Sequence, residues 1–307
     1  MEGIIKAVCI SEKRGTVKKN INEVNVIKDF GLEGDAHAGK WHRQVSFLSA
    51  DIVDEFNEKG ASVIEGDFGE NILAYGIDFK KLPVGTKLIC NDAKFEITQI
   101  GKECHSHCEI YKRVGDCIMP REGIFAKVLE SGTIKVGDKI EVIYPEKDMP
   151  YMAAVMTLSD KGSRGERVDT SGPRAAEILK EHGFKIVEEI ILPDEEAQIK
   201  KHLIRLSDSR QVDLIITTGG TGLSPRDRTP EATLAVADRN VPGISEAIRA
   251  GSMTITKRAM LSRGVSVIRK KTLIINLPGS KKAVEESLSF IICLLYTSPS
   301  PRDGATS

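Results

Sequence analysis

Two units of different architecture are predicted for this chain of 307 residues. A β-rich unit spans 1–143, an α/β unit spans 152–292, and a linker over 144–151 joins them. Three observations predict this. In the first part, apolar residues fall in short alternating runs broken by glycine, the rhythm of a barrel or sandwich with few helices. In the second, apolar β-branched runs alternate with helical stretches, which implies a mostly parallel sheet flanked by helices. Between them, "YPEKDMPY" holds two prolines and three charges, as a linker does.

In the first unit the expected strands are Ile4–Ile10, Gln44–Leu48, Lys87–Cys90, Lys94–Ile100 and Lys139–Ile143. In the second, Met152–Leu158 and Lys185–Leu192 read as strands. Between them, the stretch from Asp169 to Pro173 supplies cap residues and an early proline for a helix that runs to His182 and stops at Gly183. A helix follows Asp194, then a strand over Val212–Thr218, a helix after Pro230, and strands over Val265–Arg269 and Thr272–Asn276. "KKAVEESLSFII" has the period of an amphipathic helix. The segment 293–307, "CLLYTSPSPRDGATS", has neither period nor cap and reads as vector-derived sequence or as a disordered tail. It is set aside, with Cys293.

Composition excludes several classes. Hydrophobic residues make up 40% and charged residues 29%, as in a soluble globular protein. Lys+Arg and Asp+Glu both number 44, so there is no global basic field for nucleic acid or an anionic membrane. No apolar run approaches the roughly 20 residues of a spanning helix. Lys6 interrupts the first apolar stretch, which predicts no secretory signal. Cysteines at 9, 90, 104, 108, 117 and 293 are too few and too uneven for a disulfide framework. A cytoplasmic protein with reduced thiols is expected.

"TTGGTGLSPRDRTPEAT" (217–233) follows an apolar strand with three glycines and a carboxylate between two arginines. A structural turn needs one or two glycines, so the surplus predicts close approach of phosphate to the backbone. In an open α/β sheet, ligands sit at the carboxyl ends of strands. Ser159 and Asp160, Asp194, the glycine loop with Asp227, and Asn276 to Gly279 all fall there. Two carboxylates facing phosphates point to Mg2+. The bland alternatives are an N-cap role for Asp194 and an ion pair of Asp227 with Arg226 or Arg228.

Together with "TLSDKGSRGERVDTSGP" (157–173), "LPDEEAQI" (192–199) and "NLPGS" (276–280), that loop closely resembles the MogA/MoaB-type molybdopterin adenylyltransferases over about 152–292. The resemblance implies an enzyme that joins AMP from ATP to molybdopterin and releases pyrophosphate. It implies catalytic roles for Asp194 and Asp227, which are also the expected Mg2+ ligands. Nucleotide and pterin phosphates are expected on Ser159, Asp160, Gly219, Gly220, Thr221, Gly222, Ser224, Asn276, Pro278, Gly279 and Ser280. A homotrimer and contacts with other molybdenum-cofactor biosynthesis proteins are further expectations.

The first unit concentrates three cysteines and two histidines in 104–117, within "GKECHSHCEIYKRVGDCIMPREGIFAKVLESG" (101–132). Zinc, inert buried thiols, and a reactive cysteine near Lys112, Arg113 and Arg121 are the open readings. With "GLEGDAHAGKWHRQVSFLS" (31–49) and "FGENI" (68–72), this segment resembles the MOSC domain. That implies a β-rich barrel that binds molybdenum cofactor, with molybdenum, and handles sulfur through one cysteine: Cys108, with Cys117 second. His37 and Arg121 are expected wall residues, His37 with a competing role in a turn, and Trp41 is expected to pack. Two modules fused for one ligand raise its local concentration. The rival to the enzyme is a molybdopterin-binding scaffold without transfer activity, and the pair Asp194 and Asp227 discriminates, since a binder does not need it.

Overall fold

The computed structural model describes residues 1–102, 111, 115–146 and 148–297. The chain forms two compact units that divide between residues 147 and 148. Among the described residues no helix is long and apolar enough to cross a membrane.

The first unit is a closed barrel. Its strands are β1 (Glu2–Ile10), β2 (Lys19–Asn20), β3 (Glu23–Ile27), β4 (Gly31–Leu32), β5 (Val45–Ser49), β6 (Ile72–Tyr75), β7 (Lys87–Cys90), β8 (Ala93–Ile100), β9 (Ile124–Glu130), β10 (Gly132–Lys135) and β11 (Lys139–Ile143). The order β11-β7-β8-β9-β5-β6-β1 closes by pairing of β1 with β11, and only β5 with β6 is parallel. β3, β4 and β10 make a small second sheet. Period-2 alternation sends Ile5, Val45, Phe47, Phe95 and Ile97 into the barrel. There Phe47 packs on Phe79 and Phe95 with ring centroids 5.6 and 5.3 Å apart. Ala7, Cys9, Leu48 and Leu73 face outward into a second core, covered by helix α1 (Ala50–Glu58) and the short α2 (Met119–Glu122). Closure leaves the barrel strands no open edge, and β11 alternates buried with exposed residues while β5, under the outer core, is buried throughout.

The second unit is built on one sheet of β12 (Met152–Leu158), β13 (Lys185–Leu192), β14 (Leu214–Thr218), β15 (Arg239–Asn240), β16 (Ser266–Arg269) and β17 (Thr272–Leu277), in the order β13-β12-β14-β17-β16-β15. β13, β12, β14 and β17 are parallel, and β16 and β15 are antiparallel. All residues of β12 and β14 are buried, as a parallel sheet covered on both faces requires. The helices are α3 (Asp160–Ser163), α4 (Ser171–Glu181), α5 (Glu196–Ile204), α6 (Thr229–Ala235), α7 (Pro242–Ile255) and α8 (Lys281–Thr297). α4, α7 and α8 share one core with Val155, Ile216 and Leu277.

Several expectations change. α8 does not stop at 292 but runs to Thr297, because Ile291 and Ile292 are buried and Leu295 packs against the same core. The strand expected from Val212 begins at Leu214, and ahead of it Asp213 bonds Met152 twice, its amide donating to the Met152 carbonyl at 2.8 Å and its carboxylate accepting the Met152 amide at 2.6 Å. α7 is an unexpected helix that carries two glycines. A Cβ on one of them, Gly251, would meet the Phe290 ring at 2.8 Å, so the glycine is there for close helix packing and masks the helical signal.

Candidate functional site

Parallel pairing puts the carboxyl ends of β12, β13, β14 and β17 at one edge, and a cavity of about 380 Å3 opens there. Of the expected residues, Ser159, Asp194, Gly219, Gly220, Asp227, Gly279 and Ser280 line it. Asp160, Thr221, Gly222, Ser224 and Pro278 are not on its wall. Asn276 is a buried strut instead: its amide donates to Thr217 and Thr233 hydroxyls at 2.9 and 3.0 Å and accepts from the Val265 amide. The wall also contains Arg167, Val168, Asp169, Thr170 and Ser171, which lie in the 157–173 motif but were not among the expected site residues. Asp169 accepts from the Thr157 hydroxyl at 2.6 Å and from the Ser171 amide and hydroxyl at 2.9 and 3.0 Å. The Ser171 hydroxyl in turn meets that of Thr218 at 3.0 Å. The signal for this wall was the run of Asp, Thr and Ser right before Gly172, more hydroxyls than one cap needs.

Asp194 is not an N-cap: Glu195 holds that position before α5, without a side-chain hydrogen bond. Its Oδ2 accepts the Asp160 amide at 3.0 Å, and its own amide donates to Asp160 Oδ1 at 3.1 Å. Burial pushes the Asp194 carboxyl above its usual range, joined by the charges of Asp160 and Asp227, against the pull of that amide and of Arg226. Asp227 is not paired with either flanking arginine. Arg226 binds Asp160 and Glu195, and Arg228 binds Glu196. Asp227 Oδ2 accepts the Ser224 amide at 2.8 Å. The other oxygens, Asp194 Oδ1 and Asp227 Oδ1, accept no hydrogen bond from the described residues.

The glycines serve the loop itself before any ligand. Gly219 and Gly220 have φ of 95° and 63°. A Cβ on Gly220 would land on Thr229 Oγ1 and come within 3.1 Å of Asp194 Oδ1, and one on Gly219 would strike the Leu158 carbonyl. Arg263 holds the rest of the loop, donating to the Gly222 and Asp227 carbonyls at 2.6 and 2.5 Å and pairing with Glu231.

The first unit has its own cavity, of about 510 Å3, lined by Lys18, His37, Trp41, Arg43, Asn71, Lys102, Cys117 and Phe125 among others. His37 and Cys117 thus line one cavity. Arg121 does not: it forms a forked pair with Asp116 at 2.9 and 2.7 Å, away from the wall, and holds the Asp116 carboxyl at about 2. Cys108 and Cys104 lie outside the described residues. Trp41 is no packing residue, being 41% exposed on the cavity with the Arg43 guanidinium 4.6 Å over its ring. Beneath lies a polar floor that the sequence did not reveal. The Lys18 ammonium is 2.8 Å from Asp35, both buried, and Asp35 also accepts from Asn71 at 3.0 Å and the Ser11 amide at 3.1 Å. Burial would raise the Asp35 carboxyl, but Lys18 and these donors hold it below its usual range. The Ser11 hydroxyl lies 3.4 Å from His37 Nδ1, and burial followed by the Lys18 charge lowers the imidazole's pKa. Glu70 takes the Gly66 amide at 2.6 Å on Oε1 and leaves Oε2 buried without a partner. Burial pushes its carboxyl from 4.5 up to about 7.

Comparison with known proteins agrees with this division. A family model described as "Probable molybdopterin binding domain" matches residues 154–297, and one described as "MOSC domain" matches 34–141. The molybdopterin adenylyltransferase of Helicobacter pylori strain J99 is 42% identical over 139 residues, covering 45% of this chain and 79% of that protein. The enzyme of the same name from Escherichia coli K12 is 44% identical over 137 residues, covering 44% and 70%. The crystal structure of the molybdopterin biosynthesis enzyme MoaB from Thermus thermophilus is 47% identical, covers 47% of this chain and 91% of that one, and superposes with a TM-score of 0.46.

Two consequences can be measured. Gly220→Ala should destabilise the second unit by about 2 kcal/mol or more, since it adds left-handed backbone strain to a collision with Thr229. Thermal unfolding of the ligand-free chain reads this, and an unchanged melting temperature would return the glycine to a purely ligand-facing role. The second concerns Glu70. Folded, it keeps its proton up to about 7, whereas the unfolded chain loses it near 4.5. The stabilisation is therefore complete below 4.5 and lost as pH rises through 7, on the order of 3 kcal/mol. Glu70→Gln should flatten the first unit's stability between pH 5 and 8 and raise it at pH 8. An equally steep profile in the variant would contradict this.

Proposed function

The chain belongs, through residues 154–297, to the family of molybdopterin-binding domains that includes the molybdopterin adenylyltransferases, and from that membership we propose that its second unit transfers AMP from ATP to molybdopterin. One observation carries the reading. Asp194 and Asp227 reach the same cavity from separate strand ends, each with one carboxylate oxygen unbonded, and a mere binder does not need the pair.

These residues fit Mg2+. Among the described residues no three His, Cys, Asp or Glu side chains gather as a complete ligand set. Two carboxylates suit a hard cation that fills the rest of its shell with water and substrate phosphate. Held by Asp194 and Asp227, Mg2+ would neutralise charge that develops on the phosphate oxygens. The protein's own share is positioning. Gly279 and Ser280 open the 17-residue helix α8, whose N-terminal end favours phosphate. An anionic oxygen of the pterin's terminal phosphate bonds to the α-phosphorus, the bond to the bridging oxygen breaks, and pyrophosphate leaves with that electron pair. The nucleophile is already charged, so no general base is required, and the rate depends on alignment and preorganised charge.

A second reading concerns the first unit. Its cavity carries the cations of Lys18, Arg43 and Lys102 beside the indole of Trp41 and the thiol of Cys117. Cations next to a flat aromatic face suit an anionic heterocycle, which supports binding of the same pterin, or of its metal-bearing product, with sulfur handled at a cysteine.

Two variants separate these readings. Asp227→Asn should reduce AMP transfer by at least about a hundredfold with pterin binding kept within a few-fold, as read by mass detection of adenylated pterin and by pterin fluorescence. Activity within about tenfold of wild type, some 1.4 kcal/mol of transition-state energy, would remove the catalytic role. Arg43→Ala should leave transfer unchanged and weaken retention of pterin by the first unit about tenfold, the loss of one charged contact. Full retention would remove the cation from the second reading.

A further inference from the structure

Arg226 follows Pro225 in the glycine loop yet is absent from the cavity wall. Its guanidinium lies between acidic groups on two other loops. Nε and Nη2 donate to the two Asp160 oxygens at 3.0 and 2.7 Å, and Nη1 donates to Glu195 at 2.9 Å. Asp160 follows β12, Glu195 follows β13, and Arg226 itself follows β14. Asp160 also carries the reciprocal pair with Asp194, each backbone amide donating to the other's carboxylate at 3.0 and 3.1 Å. One side chain therefore closes a ring through the three loops that hold Asp160, Asp194 and Asp227.

We propose that Arg226 is a positioning residue for AMP transfer, a guanidinium clamp that fixes Asp194 and Asp227 relative to each other without touching substrate. The inference rests on the adenylyltransferase reading. Two physical points carry it. Four carboxylates, those of Asp160, Asp194, Glu195 and Asp227, crowd one rim, and unscreened like charges would spread their loops apart. Exposed ion pairs contribute little to stability, and Arg226 is 53% exposed, so the work of this pair is geometric. A forked guanidinium spans two acceptors at fixed angles, which an ammonium cannot do. Arg228 is an internal control. It lies two residues along the same loop, is 46% exposed, and pairs with Glu196 alone, outside the ring.

The test uses the full chain as wild type, Arg226→Met, Arg226→Lys, Arg228→Met, Asp160→Asn and the double variant Arg226→Met with Asp160→Asn. Arg226→Met should lower kcat at least about tenfold with KM for ATP and for molybdopterin within about threefold. Lysine should not restore the rate, and Arg228→Met should stay within about twofold of wild type. The double variant should be no slower than the worse single variant, because both break one ring. Four results would overturn the proposal: unchanged kcat in Arg226→Met, a raised KM for ATP at constant kcat, full rescue by lysine, or an equal loss in Arg228→Met. If wild type transfers no AMP, the adenylyltransferase reading fails, and amide hydrogen exchange decides the clamp separately. Protection of the Asp160 and Asp194 amides should fall in Arg226→Met and persist in Arg228→Met, and unchanged protection in Arg226→Met would refute the clamp.

Discussion

Parallel pairing of four strands is the constraint on which the second unit's chemistry depends. Parallel neighbours need crossover connections, so every carboxyl end of β13, β12, β14 and β17 opens at the same edge. Residues far apart in sequence, such as Ser159, Asp194, Asp227 and Gly279, become neighbours without any direct sequence relation. The antiparallel β16 extends the sheet and starts at that same edge, with Ser266 opposite Ile275 near the carboxyl end of β17. The segment that leads into it carries Arg263, which staples the glycine loop. The sheet sets where chemistry occurs, and loop hydrogen bonds set how tightly it is held.

That edge gathers negative charge before any phosphate arrives, which looks self-defeating for a site meant for polyanions. The arrangement resolves this with two kinds of cation. Arg226 neutralises Asp160 and Glu195 at the exposed rim, so these carboxylates do not face a ligand as free charge, and Arg228 pairs with Glu196 outside that ring. In the proposed reaction Asp194 and Asp227 would be neutralised by the Mg2+ they hold. Asp160 shows the division clearly: its hydrogen bonds from Arg226 hold its carboxyl below the usual range, whereas burial pushes Asp194 above it. Two aspartates joined by backbone hydrogen bonds thus have opposite electrostatic surroundings, one saturated by a guanidinium and one open to the cavity.

The sequence was legible where one local signal determined one structural answer. Alternation in Lys87–Cys90, the helix that stops before Gly183, and the mostly apolar Met152–Leu158 all appear as read, because pattern, cap and burial agree. It was incomplete where one residue type serves two ends. The triple glycine was read as space for phosphate, but positive φ and the Thr229 collision make Gly219 and Gly220 requirements of the turn. Asn276 has the composition of a ligand contact and the position of a buried strut. Arg121 lies close to the cysteine segment in sequence, yet an aspartate five residues away captures it. The partners of Arg226 were not legible at all, since they come from loops 31 and 66 residues distant.

The first unit poses the opposite problem, because its polar groups are buried where an apolar core would be more stable. An ion pair such as Lys18 with Asp35 loses several kcal/mol per ion in hydration, and well-packed hydrophobic residues of the same volume are often neutral or better. A barrel with a phenylalanine cluster as dense as that of Phe47, Phe79 and Phe95 does not need the pair for its core. What the pair does is local. Asp35 takes hydrogen bonds from Lys18, Asn71 and the Ser11 amide, and the same Ser11 reaches the inner nitrogen of His37. These bonds order three separate segments under one cavity wall and leave the outer face of the imidazole toward the space shared with Arg43 and Cys117. A gap left by imperfect packing would be lined by apolar atoms and would not be floored by a hydrogen-bonded ion pair such as Lys18 with Asp35. The polar floor therefore supports the pterin-binding reading proposed for this cavity, since it holds the wall in shape at a cost in desolvation.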